Sequence, residues 1–311
     1  MIKRSIHIGN AVQLFMRDRQ LVVAYPPAEG ETKGVEKTVP IEDLGFVVLD
    51  DPHIRISHAL IAALLAHNVA LVTCDEKHMP TGMFLNLNGH STHTEILHQQ
   101  LESSQPLRKN LWAQVVRAKI RNQAEHMRRR NQPHKSLLHL ADKVQSGDVG
   151  NREGRAAAIY WEHIFGAESG FRRERFGDWP NNLLNYGYAV VRAVVARALV
   201  GSGLLPALGL HHRNKYNAYC LADDIMEPYR PFVDAAVCTI MEDTGEIETL
   251  TPALKRRLLE IPQMDVTIQE VTSPIQVAAT RTSASLARCF AGESRAIAFP
   301  EWRSLLDEDD A

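Results

Sequence analysis

The hydrophobic pattern changes period near residue 90. Before that point, apolar residues fall in short extended runs separated by turn formers. "SIHIGNAVQLFMRDRQLVVAYPP" (5–27) reads as strands punctuated by Gly-Asn and Arg-Asp and closed by Pro-Pro. In "KTVPIEDLGFVVLDD" (37–51), Phe46 to Leu49 form a continuous apolar run of the kind buried on both faces of a sheet. "SHALIAALLAHNVALVTCDE" (57–76) predicts a helix from His58 to Ala66, capped by Ser57, and a strand from Val69 to Thr73. "MPTGMFLNLNGH" (79–90) predicts one more turn and strand. Beyond about residue 92, apolar residues recur every three to four positions. "EILHQQLESSQPLRKNLWAQVVRAKIRNQAEHMRRR" (95–130) is interrupted only by Ser-Ser-Gln-Pro. "NNLLNYGYAVVRAVVARALVGSGLLPALG" (181–209) predicts a long apolar helix ended by Gly201 and Gly203, and "YCLADDIMEPYRPFVDAAVCTIME" (219–242) another with a break at Pro228 and Pro231. The expected fold is therefore α+β, with a small β-rich domain at 1–90 followed by a larger all-α domain at 91–311.

Composition adds limits. A chain of 311 residues with 45% hydrophobic and 23% charged residues is long enough for two cores. No uninterrupted apolar run approaches the roughly 20 residues of a membrane span. "MIKRSIHIGN" lacks the apolar core of a secretory signal. Cys74, Cys220, Cys238 and Cys289 show no CxxC spacing, which fits reduced thiols in a cytoplasmic protein. The formal net charge of −2 conceals an asymmetry, because residues 108–155 hold twelve Lys/Arg against four acids, while the end, "LDEDDA", is acidic. A basic stretch of this kind suits either a phosphate-binding surface or a solvated helix face.

Candidate chemistry gathers at "LGLHHRNKYNAYCLADDIMEPYRPFVD" (208–234), where His211 and His212 precede Asp223, Asp224 and Glu227. On a helix, Asp224 and Glu227 share a face, and the gap back to His212 fits a turn that returns the imidazole over them. One His with two acids suits Mn²⁺ or Mg²⁺. The bland alternative is a core histidine beside acids that face water. Glu153 in "NREGRAAAIYWEHIFG" (151–166) sits in the first turn of an Ala-rich helix, where the helix dipole alone explains an acid. "FRRERFGDWPNNLLNYGY" (171–188) sets Arg172, Arg173 and Arg175 ahead of Asn182, Asn185, Tyr186 and Tyr188, which suits either backbone contacts to nucleic acid or a helix start. Phosphate-loop, dinucleotide, nucleophile-elbow and HExxH patterns do not occur.

Three motifs in order, "EGRAAAIYW" (153–161), "NNLLNYGY" (181–188) and "LGLHH" with "CLADDIMEPYRP" (208–231), resemble the CRISPR-associated integrase family, the Cas-one proteins of spacer acquisition. The wording of the last motif is closest to members from type II systems. The resemblance implies a metal-binding set of Glu153, His212 and Glu227, with Asp224 as an additional carboxylate and His211 beside the site. It implies Mg²⁺ or Mn²⁺ as cofactor and phosphoryl transfer as the reaction, in which the 3′-hydroxyl of a short foreign DNA (a prespacer) attacks a phosphodiester at the border of the CRISPR repeat. It also implies double-stranded DNA as substrate, tracked by the basic stretch (Arg128, Arg129, Arg130) and by Arg172, Arg173 and Arg175. Further implied partners are a second copy of the chain, a Cas-two dimer in a heterohexamer, and the type II effector nuclease with an accessory protein. The β-rich domain would supply the dimer and partner contacts. Two rival classes remain: a stand-alone metal-dependent nuclease on branched or single-stranded DNA, and a metal-free DNA-binding scaffold.

Overall fold

The computed structural model describes residues 3–27, 34–76, 78–86, 90–166, 170–174, 177–245 and 249–303. The chain divides into two compact units, 1–89 and 90–311.

The first unit is built on two four-stranded sheets. Strands β1 (Arg4–Ile8), β5 (Leu44–Leu49) and β7 (Ala70–Cys74) run parallel, and β8 (Pro80–Phe84) closes the sheet antiparallel in the order β1-β5-β7-β8. Strands β2 (Gln13–Arg17), β3 (Gln20–Ala24), β4 (Glu36–Pro40) and β6 (Arg55–Ile56) form the second sheet in the order β4-β3-β2-β6. The Arg-Asp signal is a two-residue hairpin turn: Asp18 and Arg19 are both left-handed (φ 51° and 59°), as the twist of the flanking strands requires. β5 is central and buried along most of its length, which is why its sequence is apolar without alternation. Helix α1 (His58–Ala66) begins where the Ser57 hydroxyl accepts the Leu60 N–H at 3.3 Å, and Leu60 and Leu64 enter the core.

The second unit is helical. Helices α2 (His93–Glu102) and α3 (Gln105–Arg129) are separated at Ser103–Ser104, and Ser104 caps α3 through the Leu107 N–H. The helices α4 (Lys135–Asp142), α5 (Arg152–His163) and α6 (Asn181–Gly201) follow. Among the described residues, α6 is the one helix long and apolar enough to cross a membrane (mean hydropathy 1.3), yet 78% of that window is buried inside the chain. Helix α7 (Cys220–Met226) passes through a 3₁₀ turn at Glu227–Tyr229 into α8 (Arg230–Thr244), with Pro228 and Pro231 in the opening turns where no backbone donor is lost. After α9 (Pro252–Leu258) comes a feature absent from the all-α expectation, a hairpin of β9 (Asp265–Ile268) and β10 (Val271–Pro274), before α10 (Ile275–Phe290). Its Val266 and Ile268 are buried in strand alternation.

The segment after α10 crosses α3 as a strap. The Asn122 amide donates to the carbonyls of Pro228 (2.8 Å) and Pro300 (2.9 Å), and the Trp302 indole donates to the Asn122 carbonyl (3.0 Å). The Trp302 ring lies 4.4 Å from Phe232 of α8. α6 meets α8 closely at Gly187, where a Cβ would lie 2.5 Å from Val233 Cγ1. Gly187→Val should therefore lower the free energy of unfolding by about 1–3 kcal/mol, the usual cost of overpacking. Chemical denaturation checks this, and an unchanged midpoint would show that the two helices have room to part.

Candidate metal centre

Four segments deliver the site. α3 contributes Lys119, which occupies a core-facing position in register with Trp112, Val115, Val116 and Ile120 and is itself buried. α5 contributes Glu153 from its first turn. The preceding turn fixes that start: the Asp148 carboxylate accepts the N–H groups of Arg152 (2.9 Å) and Glu153 (3.0 Å), and left-handed Asn151 accepts that of Gly154. The loop before α7 contributes His212, α7 contributes Asp224, and the turn between α7 and α8 contributes Glu227.

Asp224 is 0% exposed. One oxygen accepts the His211 N–H (2.9 Å); the other accepts the His212 N–H (3.3 Å) and lies 2.5 Å from His212 Nδ1. The loop comes this close because Gly209 lacks a side chain: a Cβ there would fall 2.4 Å from the His212 carbonyl oxygen and 2.9 Å from Asp224 Oδ2. With Nδ1 turned to Asp224, Nε2 is the nitrogen left to face a ligand, the arrangement by which carboxylates orient metal-binding histidines. Asp224 therefore has both oxygens engaged by the His211–His212 segment. His211 stacks on Trp112 at 4.4 Å and 6°, and Trp112 meets His212 edge-on at 5.9 Å.

Glu227 is 3% exposed and doubly held: Arg230 Nη2 reaches its Oε1 at 2.9 Å and Lys119 Nζ its Oε2 at 2.5 Å. The same ammonium contacts Glu153 Oε1 at 2.7 Å. Burial acts to lower the Lys119 pKa, but Glu227 and Glu153 outweigh it and hold the value above the ordinary lysine range. Burial likewise pushes Glu227 up, and Arg230 and Lys119 bring it below the usual carboxylate range. The hydrogen bond that His212 donates to Asp224, with the fields of Asp224, Glu227 and Glu153, raises the His212 pKa against burial. The reading of these acids as a water-facing helix surface is therefore excluded for Asp224 and Glu227.

Two carboxylates and an imidazole suit Mg²⁺ or Mn²⁺, and a cation already bridges the two carboxylates in the form of the Lys119 ammonium. No three His, Cys, Asp or Glu side chains among the described residues close into a ready ligand shell. Lys119 stands between Glu153 and Glu227.

Behind Arg230 lies a second buried network. The Tyr188 ring is flanked by the guanidinium carbons of Arg230 (4.7 Å) and Arg173 (5.2 Å). The hydroxyls of Tyr188 and Tyr160 donate to opposite oxygens of Asp234 at 2.5 Å and 2.9 Å. Burial pushes Asp234 up to about 6, and it pushes His126, bonded to the Tyr160 hydroxyl, down to about 3.

The basic residues expected at DNA divide differently. Arg128 lies across both Glu125 oxygens (2.7 Å each), Arg129 meets Glu125 (3.1 Å) and the Trp302 ring (5.0 Å), and Arg130 pairs with Glu242 (2.8 Å). Arg173 donates to Asn181 (2.9 Å) and Asn185 (2.6 Å). Arg172 is exposed, and Arg175 lies outside the described residues. Sequence reasoning missed an exposed cationic stretch beside His212: Arg213, Lys215 and Tyr216, the last 84% exposed with Lys215 Nζ 4.8 Å from its ring. It also missed Lys119, a lysine at a helix position that otherwise points to the core, which by itself signals a buried acid.

The family model for CRISPR associated protein Cas1 matches residues 8–251, which include residues of both units and Lys119, Glu153, His212, Asp224 and Glu227. The chain belongs to the Cas1 family. A relative from Neisseria meningitidis serogroup C (strain 8013), CRISPR-associated endonuclease Cas1, is 38% identical over 275 residues, 86% of each chain. Two solved structures share the fold. One is a casposase bound to integration product (TM-score 0.79, 19% identity, 95% of this chain and 92% of that one), and the other is a chain of a partial Cas6-RT-Cas1–Cas2 complex (TM-score 0.61, 19% identity, 97% and 99%). The strap and the hairpin lie beyond the region that the Cas1 model matches.

The Asp224 contact makes a direct prediction. A raised His212 pKa means that its proton stabilises the fold below the ordinary imidazole value of about 6.5, a contribution lost as pH rises through the raised value. In metal-free protein, Asp224→Asn should lower the His212 pKa, read by NMR titration of the imidazole. An unchanged value would show that Asp224 does not hold the ring.

Proposed function

We propose that this chain is a metal-dependent DNA endonuclease and integrase, joining the 3′-hydroxyl ends of prespacer DNA to the border of a CRISPR repeat by phosphoryl transfer. The observation that carries this reading is the convergence of Glu153 and the buried Glu227 on one cation, beside an imidazole that Asp224 orients. Glu153, Glu227 and His212 Nε2 would hold Mg²⁺ or Mn²⁺. A divalent ion held there would supply Lewis-acid polarisation of the scissile phosphate and stabilisation of charge on the attacking and leaving oxygens. The chain's own groups do the positioning: Asp224 fixes the ring, Arg230 fixes one oxygen of Glu227, and the turn at Asp148 fixes Glu153. No protein nucleophile is required, since the attacking hydroxyl comes from DNA; with water in its place, the same site would act as the endonuclease for which the Neisseria relative is named.

The exposed Arg213, Lys215 and Tyr216 suit phosphate contact and base stacking next to the site, and Arg172 adds an exposed cation. The shared fold with a chain of a Cas1–Cas2 complex supports a Cas-two partner, and the β-rich unit is the proposed dimer and partner domain. The type II effector nuclease and accessory protein stay with this reading as expected partners.

The test is strand transfer of a labelled 3′-hydroxyl duplex into a supercoiled plasmid bearing the repeat, with and without Cas-two, in Mg²⁺, Mn²⁺ or chelator. His212→Ala and Glu227→Ala should each lower joining by at least 100-fold, as chelator does, while duplex affinity stays within about threefold. Cleavage without joining would establish the nuclease reading, and wild-type joining by Glu227→Ala would remove the assigned site. Separately, Arg213→Ala with Lys215→Ala should flatten the slope of log affinity against log salt by about two. An unchanged slope would take the loop off the DNA surface.

A further inference from the structure

Glu227 offers a metal only one of its two oxygens. Arg230 occupies Oε1 and, through Tyr188 and the Asp234 network, is itself anchored in the core. Oε2 is the remaining donor, and Lys119 Nζ stands 2.5 Å from it and 2.7 Å from Glu153 Oε1. A divalent ion bonded to these two oxygens at about 2.0–2.2 Å would lie nearly where that nitrogen lies. Two cations cannot share that space.

We propose that Lys119 is a resident counter-cation of the metal site, holding Glu153 and Glu227 together until a divalent ion displaces its ammonium from between them; this rests on the metal-site reading above. Three observations carry it. The nitrogen contacts both carboxylates, so its place is the midpoint of the ligand pair rather than the flank of one acid. The Lys119 side chain is only 10% exposed, and the stem leaves α3 among Val115, Val116 and Ile120, so the ammonium reaches the acids from the core. Glu153, at 25% side-chain exposure, is the more open of the two acids, so an ion approaching from solvent meets it first and the displaced ammonium has a path outward along it. The arrangement solves a folding problem and sets a binding cost: two acids can be assembled before metal arrives, and each metal-binding event must break two ion pairs.

The experiment measures Mn²⁺ binding directly, by electron paramagnetic resonance of free Mn²⁺, on the full chain without DNA. Lys119→Met keeps an unbranched chain out to the ε carbon and removes the ammonium with its charge. It should bind Mn²⁺ at least tenfold more tightly than wild type, with a lower thermal midpoint in chelator and a larger Mn²⁺-induced rise. Equal or weaker Mn²⁺ affinity in Lys119→Met would overturn the proposal. In wild-type protein, acetic anhydride labelling of Lys119, quantified by mass spectrometry, should increase severalfold on adding Mn²⁺; labelling that stays constant or falls would overturn it without relying on a variant. Glu227→Gln and His212→Ala separate the two layers of the argument. Loss of Mn²⁺ binding in both, with no gain in Lys119→Met, rejects the counter-cation alone. Mn²⁺ binding that survives in both rejects the metal site and the counter-cation with it.

Discussion

The site depends on the ion-pair bridge that Lys119 makes across Glu153 and Glu227. A carboxylate 3% exposed cannot remain ionised without compensation, because removing it from water costs several kcal/mol. Here the compensation comes from two cations on two different elements, Lys119 of α3 and Arg230 of α8, one for each oxygen. Taking away one partner of such a buried pair typically costs about 3–5 kcal/mol, so the bridge also fixes how α3, α5 and the α7–α8 junction sit together. The rest of the helical unit can be understood as holding those elements at that distance.

The strap does this from the far side. Asn122 lies almost one helical turn beyond Lys119 and grips the carbonyl of Pro228, the residue after Glu227, while also binding Pro300 of the strap. One amide thereby ties the lysine's helix, the glutamate's turn and the C-terminal segment. Trp302 reinforces the tie by stacking on Phe232 and by giving Arg129 an aromatic face. Arg173 belongs to the same support, because it shares Tyr188 with Arg230, the residue that holds Glu227. A cation that looks from sequence like a DNA ligand also packs against Tyr188 and bonds Asn181 and Asn185.

That contrast shows what the sequence made legible. Local signals were readable because their partners are near in the chain: the Ser57 cap, the Asp18–Arg19 turn, the apolar run of β5, and the His212–Asp224 pairing across twelve residues. Even the neutralisation of Arg128 and Arg129 by Glu125 follows the three- and four-residue spacing of a helix and was available. The hairpin at 265–274 alternates visibly once strands are sought in a helical region. The rest needed three dimensions. Nothing local links Arg130 to Glu242, Lys119 to residues 34 and 108 positions away, or Asn122 to Pro300. Gly209 marks the boundary case: a motif showed it beside the histidines, but only the geometry shows that a Cβ would collide with His212 and Asp224.

The same geometry separates two kinds of residue around one centre. Asp224, Glu227 and Lys119 are buried behind it, with the half-buried Arg230 against Glu227, so their substitution acts on local packing as well as on the site. Arg213, Lys215 and Tyr216 are exposed in front of it on a loop whose two ends are pinned, at Asp224 through His212 and at Asp223, where Asn217 Nδ2 and Arg192 Nε meet the carboxylate at 2.7 Å and 2.6 Å. A loop anchored at both ends, with Arg213 also donating to Gln105 (3.1 Å), can change its surface residues without moving the imidazole. On the proposed reading, affinity for DNA would vary on that loop while the site of Glu153, His212 and Glu227 stayed fixed, because the forces that hold each come from different parts of the chain.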